Sequence, residues 1–269
     1  MARFEDRFPP YVAFGSRLLR ARRPVQRGTD VALLQILHNA LRSLLDHPYG
    51  VTLVVDGLWG PATETAVRAL QHRFGLSADG IVGPATYFAL GHGVGAHTTY
   101  GGPPFGSRTL SQGGTGGDVY VLQNRLALYR YHDILDGPPG GTFGPQTAAA
   151  LAEFKDDAET AGDAGLGRTP AIDGPTLDAL WLYTQAGGRA IFGGRNGLDV
   201  AFVQRLLKSA GLYRGVIDGR YGPVVAAAVR SFQQKNGLSV DGIVGPATFA
   251  ALGRANAHPA PHPLDPPRF

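Results

Sequence analysis

A mainly α fold, built as three helical units in tandem, is what this sequence predicts. The octet from Asp79 to Thr86 recurs letter for letter from Asp241 to Thr248. Laid without gaps, Gly60 to Thr86 and Gly222 to Thr248 agree at 17 of 27 positions. A weaker copy, Gly141-Thr142-Phe143-Gly144-Pro145-Gln146-Thr147, lies between the two. Internal repeats outrank chain length as a guide to organisation.

Within the octet, Asp accepts backbone N–H bonds in a turn, Gly supplies a positive φ, and Pro suits the first helical residue because its missing N–H costs nothing there. Short helices are therefore expected from Pro84 and from Pro246, closed by Gly91 and Gly253. Related signals stand upstream at Asp56 to Thr63 and Asp218 to Pro223, so each well-kept unit carries the signal twice.

In chain order, residues 1–27 form a basic and aromatic leader. Phe4, Phe8, Tyr11, Phe14, Leu18 and Leu19 are too many large apolar groups for a solvated tail, so the leader is expected to dock. Unit one spans 28–91. Val31, Leu34, Leu37, Leu41 and Leu45 follow helical spacing, and Thr29-Asp30 offers an N-cap. A second helix begins at Pro61 and buries Ala66, Val67, Leu70 and Phe74; the third begins at Pro84. Residues 92–116 are a Gly-rich linker expected to rest on a surface. Unit two, 117–184, is degenerate: its later signal shrinks to Asp173-Gly174-Pro175-Thr176, after a loop insertion with Asp156, Asp157, Glu159 and Asp163. A linker, 185–196, leads to unit three, 197–253, and a Pro-rich tail, 254–269, is expected to be extended. Phe14-Gly15-Ser16-Arg17, Phe105-Gly106-Ser107-Arg108 and Phe192-Gly193-Gly194-Arg195 read as a recurring lead-in that packs on its own unit or docks between units or chains.

Hydrophobic residues make up 43% of the chain and no apolar run reaches membrane-spanning length. The first residues open no signal-type apolar run, so export is expected to need another route. Cysteine is absent, which removes disulfides, thiolate metal sites and cysteine nucleophiles. The net charge of +4 resides in the leader, with its seven Arg; the remainder is near neutral, which argues against nucleic-acid binding.

The residues Gly28-Thr29-Asp30-Val31 with Leu34-Gln35, Asp56 to Thr63, Ala66-Val67 through Gln71 and Asp79 to Thr86 resemble the peptidoglycan-binding domain-like family. So do Gly197 to Val200, Gln204, Asp218 to Pro223, Ala228-Val229, Phe232-Gln233 and Asp241 to Thr248. The resemblance implies three tandem three-helix modules, joined by the extended Gly/Pro-rich segments, at the cell envelope or extracellular surface. It further implies a noncatalytic groove for glycan strands or stem peptides of the bacterial wall. Under that reading Trp59, Phe143 and Tyr221, each before Gly-Pro, either stack on a ligand or fill the core. Arg68, Gln71, Arg230 and Gln233 recur at one spacing; they either bind an amide or carboxylate or are solvated helix faces.

No leftover segment has room for a catalytic domain, so an enzyme is not expected. No cofactor is implied either. The pairs His92 with His97 and His258 with His262 lack a third ligand, so no metal site is expected. The rival reading is a self-assembling structural subunit of a fibre, spore layer or released particle. In it the modules are scaffold, and residues 1–27 and the tail join copies of the chain. The apolar leader favours docking on a neighbouring chain.

Overall fold

The computed structural model describes residues 4–12, 14–91, 103, 105–129, 131–135, 139–161, 165–184 and 186–256. The two His pairs, residues 92–102 and 104 of the linker and residues 257–269 of the tail lie outside the described residues. A four-residue helix, α1 (Phe4–Arg7), precedes unit one, which holds α2 (Thr29–Leu44), α3 (Pro61–Arg73) and α4 (Pro84–Ala89). Unit two holds β1 (Leu110–Ser111), α5 (Gly117–Ala127), α6 (His132–Leu135), α7 (Pro145–Ala161), β2 (Ala171–Ile172) and α8 (Gly174–Tyr183). Unit three holds α9 (Leu198–Ser209), α10 (Pro223–Lys235) and α11 (Pro246–Asn256). The fold is mainly α, as predicted, and Pro61, Pro84, Pro223 and Pro246 each open a helix.

Each unit begins with the same lacing. Gly28, Gly116 and Gly197 stand before α2, α5 and α9 at φ of 143°, 137° and 144°, a backbone that favours glycine. Their N–H groups donate to Gly57, Gly141 and Gly219 oxygens at 3.0, 2.9 and 2.8 Å, tying each helix start to the first turn of its unit. The N-cap of α2 is thus Gly28 and not Thr29-Asp30. Asp30 instead accepts a bidentate pair from Arg17, at 2.7 and 3.0 Å. Arg108 holds Asp118 and Arg189 holds Asp199 in the same way.

These clamps correct the register of the third lead-in. Its counterpart of Arg17 is Arg189, preceded by Ala186-Gly187-Gly188, and Phe192 to Arg195 lies further along. The residues two beyond each clamp confirm it: Leu19 pairs with Val82, Leu110 with Ile172 and Ile191 with Val244, all antiparallel. Each lead-in therefore closes on the last turn of its own unit.

The units share one core. α2, α5 and α9 are buried along most of their length, and α5 at every residue. The last helix of each unit packs on another unit's first helix: α8 on α2 and α11 on α5. α4 abuts the start of α9, where a Cβ on Gly197 would come within 2.7 Å of Ala89 O. Unit one thus meets three, three meets two and two meets one, in a closed ring. Gly253 does not end its helix, because α11 runs on to Asn256. It is glycine because a Cβ would lie 2.6 Å from Ala127 O across the ring.

At the centre Arg125 is fully buried. Its guanidinium sits 4.1 Å from the Trp181 ring and donates to the carbonyls of Thr184 and Gly91. Burial pulls its pKa down to about 9, which still leaves it charged at neutral pH.

The leader is folded against its own chain. Leu19 is fully buried, and Phe14 meets Tyr87 edge-on at 5.1 Å and Trp181 at 6.4 Å, bridging units one and two. α1 packs on α8. Phe14 and Leu19 are thus satisfied within the chain, while Tyr11 and Leu18 stay exposed. The acidic insertion also differs from expectation: α7 continues through Asp156, Asp157 and Glu159.

Candidate functional site

Five of the seven predicted ligand residues are committed internally. Trp59, Phe143 and Tyr221 are each at most 4% exposed and fill the units' cores; the Tyr221 hydroxyl donates to Gly242 O at 2.6 Å. Buried apolar surface stabilises them there more than an open stacking platform would. Gln71 and Gln233 are equally buried. Gln71 Nε2 donates to Asp79 Oδ1 (2.8 Å), Ile81 O (2.9 Å) and Thr86 Oγ1 (3.2 Å), while its Oε1 accepts from Gly80 N (2.9 Å). Gln233 repeats this set on Asp241, Ile243, Thr248 and Gly242. Buried, with their NH2 groups fully committed, these amides clamp turns.

Gln35, Gln123 and Gln204 do the same for the first turn of each unit. Sequence reading missed that role, although each such Gln precedes an Asp-Gly or Gly-Gly turn. In unit two, Lys155 replaces the second clamp, ten residues after Pro145 as Gln71 follows Pro61. Its buried Nζ donates to Leu166 O (3.3 Å) and Thr169 O (2.8 Å), and burial lowers its pKa. Asp173-Gly174 is not the shrunken turn: Asp173 is the N-cap of α8, accepting from Thr176 N at 3.0 Å.

Arg68 and Arg230 remain on the surface. Each guanidinium lies against the second turn of its unit, where a Cβ on Gly80 or Gly242 would approach it to 3.0 or 3.1 Å. Arg68 donates to Ala78 O at 2.6 Å and pairs with Glu64 at 2.9 Å. Backbone N–H bonding from Ile81 holds the neighbouring Asp79 carboxyl below its usual range. Unit two has Ala152 at this position, so its second turn carries no guanidinium. Beside the Gly242 turn, Ile243 is exposed, and Phe192 follows it across the Ile191–Val244 pairing. Arg195 lies 4.6 Å above the Phe192 ring. Unit three therefore presents the exposed Phe192 ring, with Arg195 over one face and Ile243 beside it, next to the turn on which Arg230 lies. Among the described residues no three His, Asp or Glu side chains group as a metal site, and no helix is long and apolar enough to cross a membrane.

The family model described as "Putative peptidoglycan binding domain" matches residues 27–90, 115–161 and 196–252. The N-acetylmuramoyl-L-alanine amidase CwlL of Bacillus licheniformis is 29% identical over 73% of this chain and 36% of its own length. A spore cortex-lytic enzyme of Bacillus cereus is 42% identical over 24% of this chain and 25% of its own. The chain thus spans about a third or less of these curated relatives. The solved SleB N-terminal domain is 42% identical, covering 25% of this chain and 92% of that one, with a TM-score of 0.25. The three matched segments take up more than half of the residues, one in each laced unit, the second stopping short of α8, so the chain belongs to the peptidoglycan-binding domain family.

Proposed function

We propose that this chain binds cell-wall peptidoglycan without cleaving it, at the bacterial wall or spore cortex, through units one and three. The observation that carries the reading is the exposed guanidinium set on the second turn of both well-kept units, at Arg68 and Arg230, and missing from unit two. Charge-assisted bonds from a planar guanidinium suit the carboxylates of stem peptides. The Phe192 face suits the glycan. Sedimentation with purified insoluble peptidoglycan tests the reading. The protein is expected to pellet with the wall, and the Arg68→Ala, Arg230→Ala double variant to bind about tenfold more weakly. Failure of the intact chain to pellet above a control protein overturns it. Release of soluble fragments from the wall during the same incubation overturns the noncatalytic part.

A further inference from the structure

Unit two departs from its siblings in a concerted way around one cleft. The cleft encloses about 220 Å³ between the leader's Tyr11, the lead-in Gly106 to Thr109 and the start of α8 at Ile172 to Leu177. The paired positions Leu19, Leu110 and Ile191 on one side and Val82, Ile172 and Val244 on the other fix the equivalences. Thr109 stands where unit one has Leu18, Gly174 where units one and three have Pro84 and Pro246, and Leu177 where they have Tyr87 and Phe249. In unit one Leu18 reaches to 3.6 Å from a Cβ position on Gly83, and Tyr87 is buried with its hydroxyl on Arg17 O. Gly174 and Leu177 are smaller than their counterparts in both sibling units, with the Tyr11 hydroxyl 2.6 Å from a Cβ position on Gly174, and Thr109 is smaller than Leu18 although unit three has Ala190 there. One exchange adds a charge: Asp173 replaces Gly83 and Gly245.

The electrostatics narrow the ligand. Arg108 uses Nε and Nη2 on Asp118 and Thr115 O, which leaves Nη1 as the donor it offers. Asp173 uses Oδ1 on Thr176, leaving Oδ2. Arg108 is paired with buried Asp118, and the Asp173 charge pulls the Lys155 pKa upward against the effect of burial. The cleft is therefore neutral as a whole, with a cationic edge and an anionic edge over an apolar floor of Ile172 and Leu177. A lone anion at the α8 N-terminus meets the Asp173 carboxylate, and a lone cation meets Arg108. Its volume is below the ~300–1,000 Å³ of pockets for drug-sized ligands.

We infer that this cleft binds a small zwitterion, an α-amino-acid head group with a short aliphatic body, its carboxylate on Arg108 and its ammonium on Asp173. The source is either a free amino acid or the same head group on a peptide side chain. This site goes beyond the wall-binding reading and does not depend on it.

The test is calorimetric and NMR titration of the full chain with L-alanine and with a tetrapeptide bearing a diaminopimelate side chain, against acetate and ethylamine. Saturable binding of at least one zwitterion, with shifts at the Thr109 and Gly174 amides and none with acetate or ethylamine, is expected; which zwitterion binds names the source. Thr109→Leu, which refills the cleft as unit one does, is expected to abolish that binding, and Asp173→Asn, which keeps the cap, to weaken it about tenfold. Both variants are expected to sediment with peptidoglycan like the parent chain, which separates this site from the wall surface. No saturation by either zwitterion at tens of millimolar, equal binding of acetate or ethylamine, or unchanged affinity in Thr109→Leu overturns the inference.

Discussion

Gln71 shows how much one buried amide can hold. Replacing it with Ala strands the buried Gly80 N–H, at about 1–3 kcal/mol, and removes one of three donors to the Ile81 carbonyl, which Gly83 N and Thr86 Oγ1 still reach. Gln71→Ala and Gln233→Ala are each expected to lower unfolding free energy by about 1–3 kcal/mol in urea, whereas Arg68→Ala, which breaks a solvent-screened pair, is expected to cost below about 1 kcal/mol. His38 makes stability depend on pH between its unfolded and folded pKa values. Burial pulls its pKa from 6.5 down to about 4, although its bond to Val51 O opposes the shift. Its folded pKa lies below the unfolded one, so the unfolded chain takes up the proton first. Stability from this group is full above pH 6.5 and falls through the window to pH 4, by about 3 kcal/mol at the end. His38→Gln is expected to flatten that part of the urea-midpoint profile; an unchanged slope counts against the assignment. At this scale the sequence was legible as turn chemistry, since Asp, Gly and Pro act locally. The fate of Gln71 was not, because an amide's partners depend on which way a helix face turns.

At the scale of elements, the three Arg–Asp clamps do similar work in different surroundings. Asp30, Asp118 and Asp199 are almost fully buried, while the arginine side chains are 28%, 42% and 14% exposed. Burial raises the pKa of Asp30 against the pull of Arg17. Removing an arginine strands a buried carboxylate, and the penalty grows as water has less access. Replacement with Ala is expected to destabilise in the order Arg189, Arg17, Arg108, from about 3 kcal/mol down to about 1 kcal/mol once solvent screening is allowed for. Thermal melts of the three variants check the order. Helix starts at proline were readable at this scale. The third clamp was not, because Phe192-Gly193-Gly194-Arg195 imitates the lead-in pattern while Ala186 holds the place of its phenylalanine, and only pairing partners distinguish them.

The whole molecule is a ring of three units and not a string. Burial of Phe14 and Leu19 against units one and two contributes about 4 kcal/mol. Deleting residues 2–23 is therefore expected to lower the melting temperature clearly while leaving the oligomeric state, followed by light scattering, unchanged. An unaltered melting temperature counts against docking within the chain. Arg125→Ala is expected to cost at least about 3 kcal/mol, because carbonyls of Gly91 and Thr184 lose their donor at the centre. The repeat made the units legible, but each unit's own pattern satisfies a three-helix core, so nothing in it announces that the first helices also bury their outer faces on neighbouring units. That closure has a consequence during synthesis. α2 leaves the ribosome long before α8 and α9, the helices that cover it, exist; with roughly 150 residues still to come at ~5–20 residues per second, its apolar face waits about 10 s or more. The nascent first unit is thus a customer for chaperones, and translation speed between residues 45 and 198 bears on the yield of folded protein.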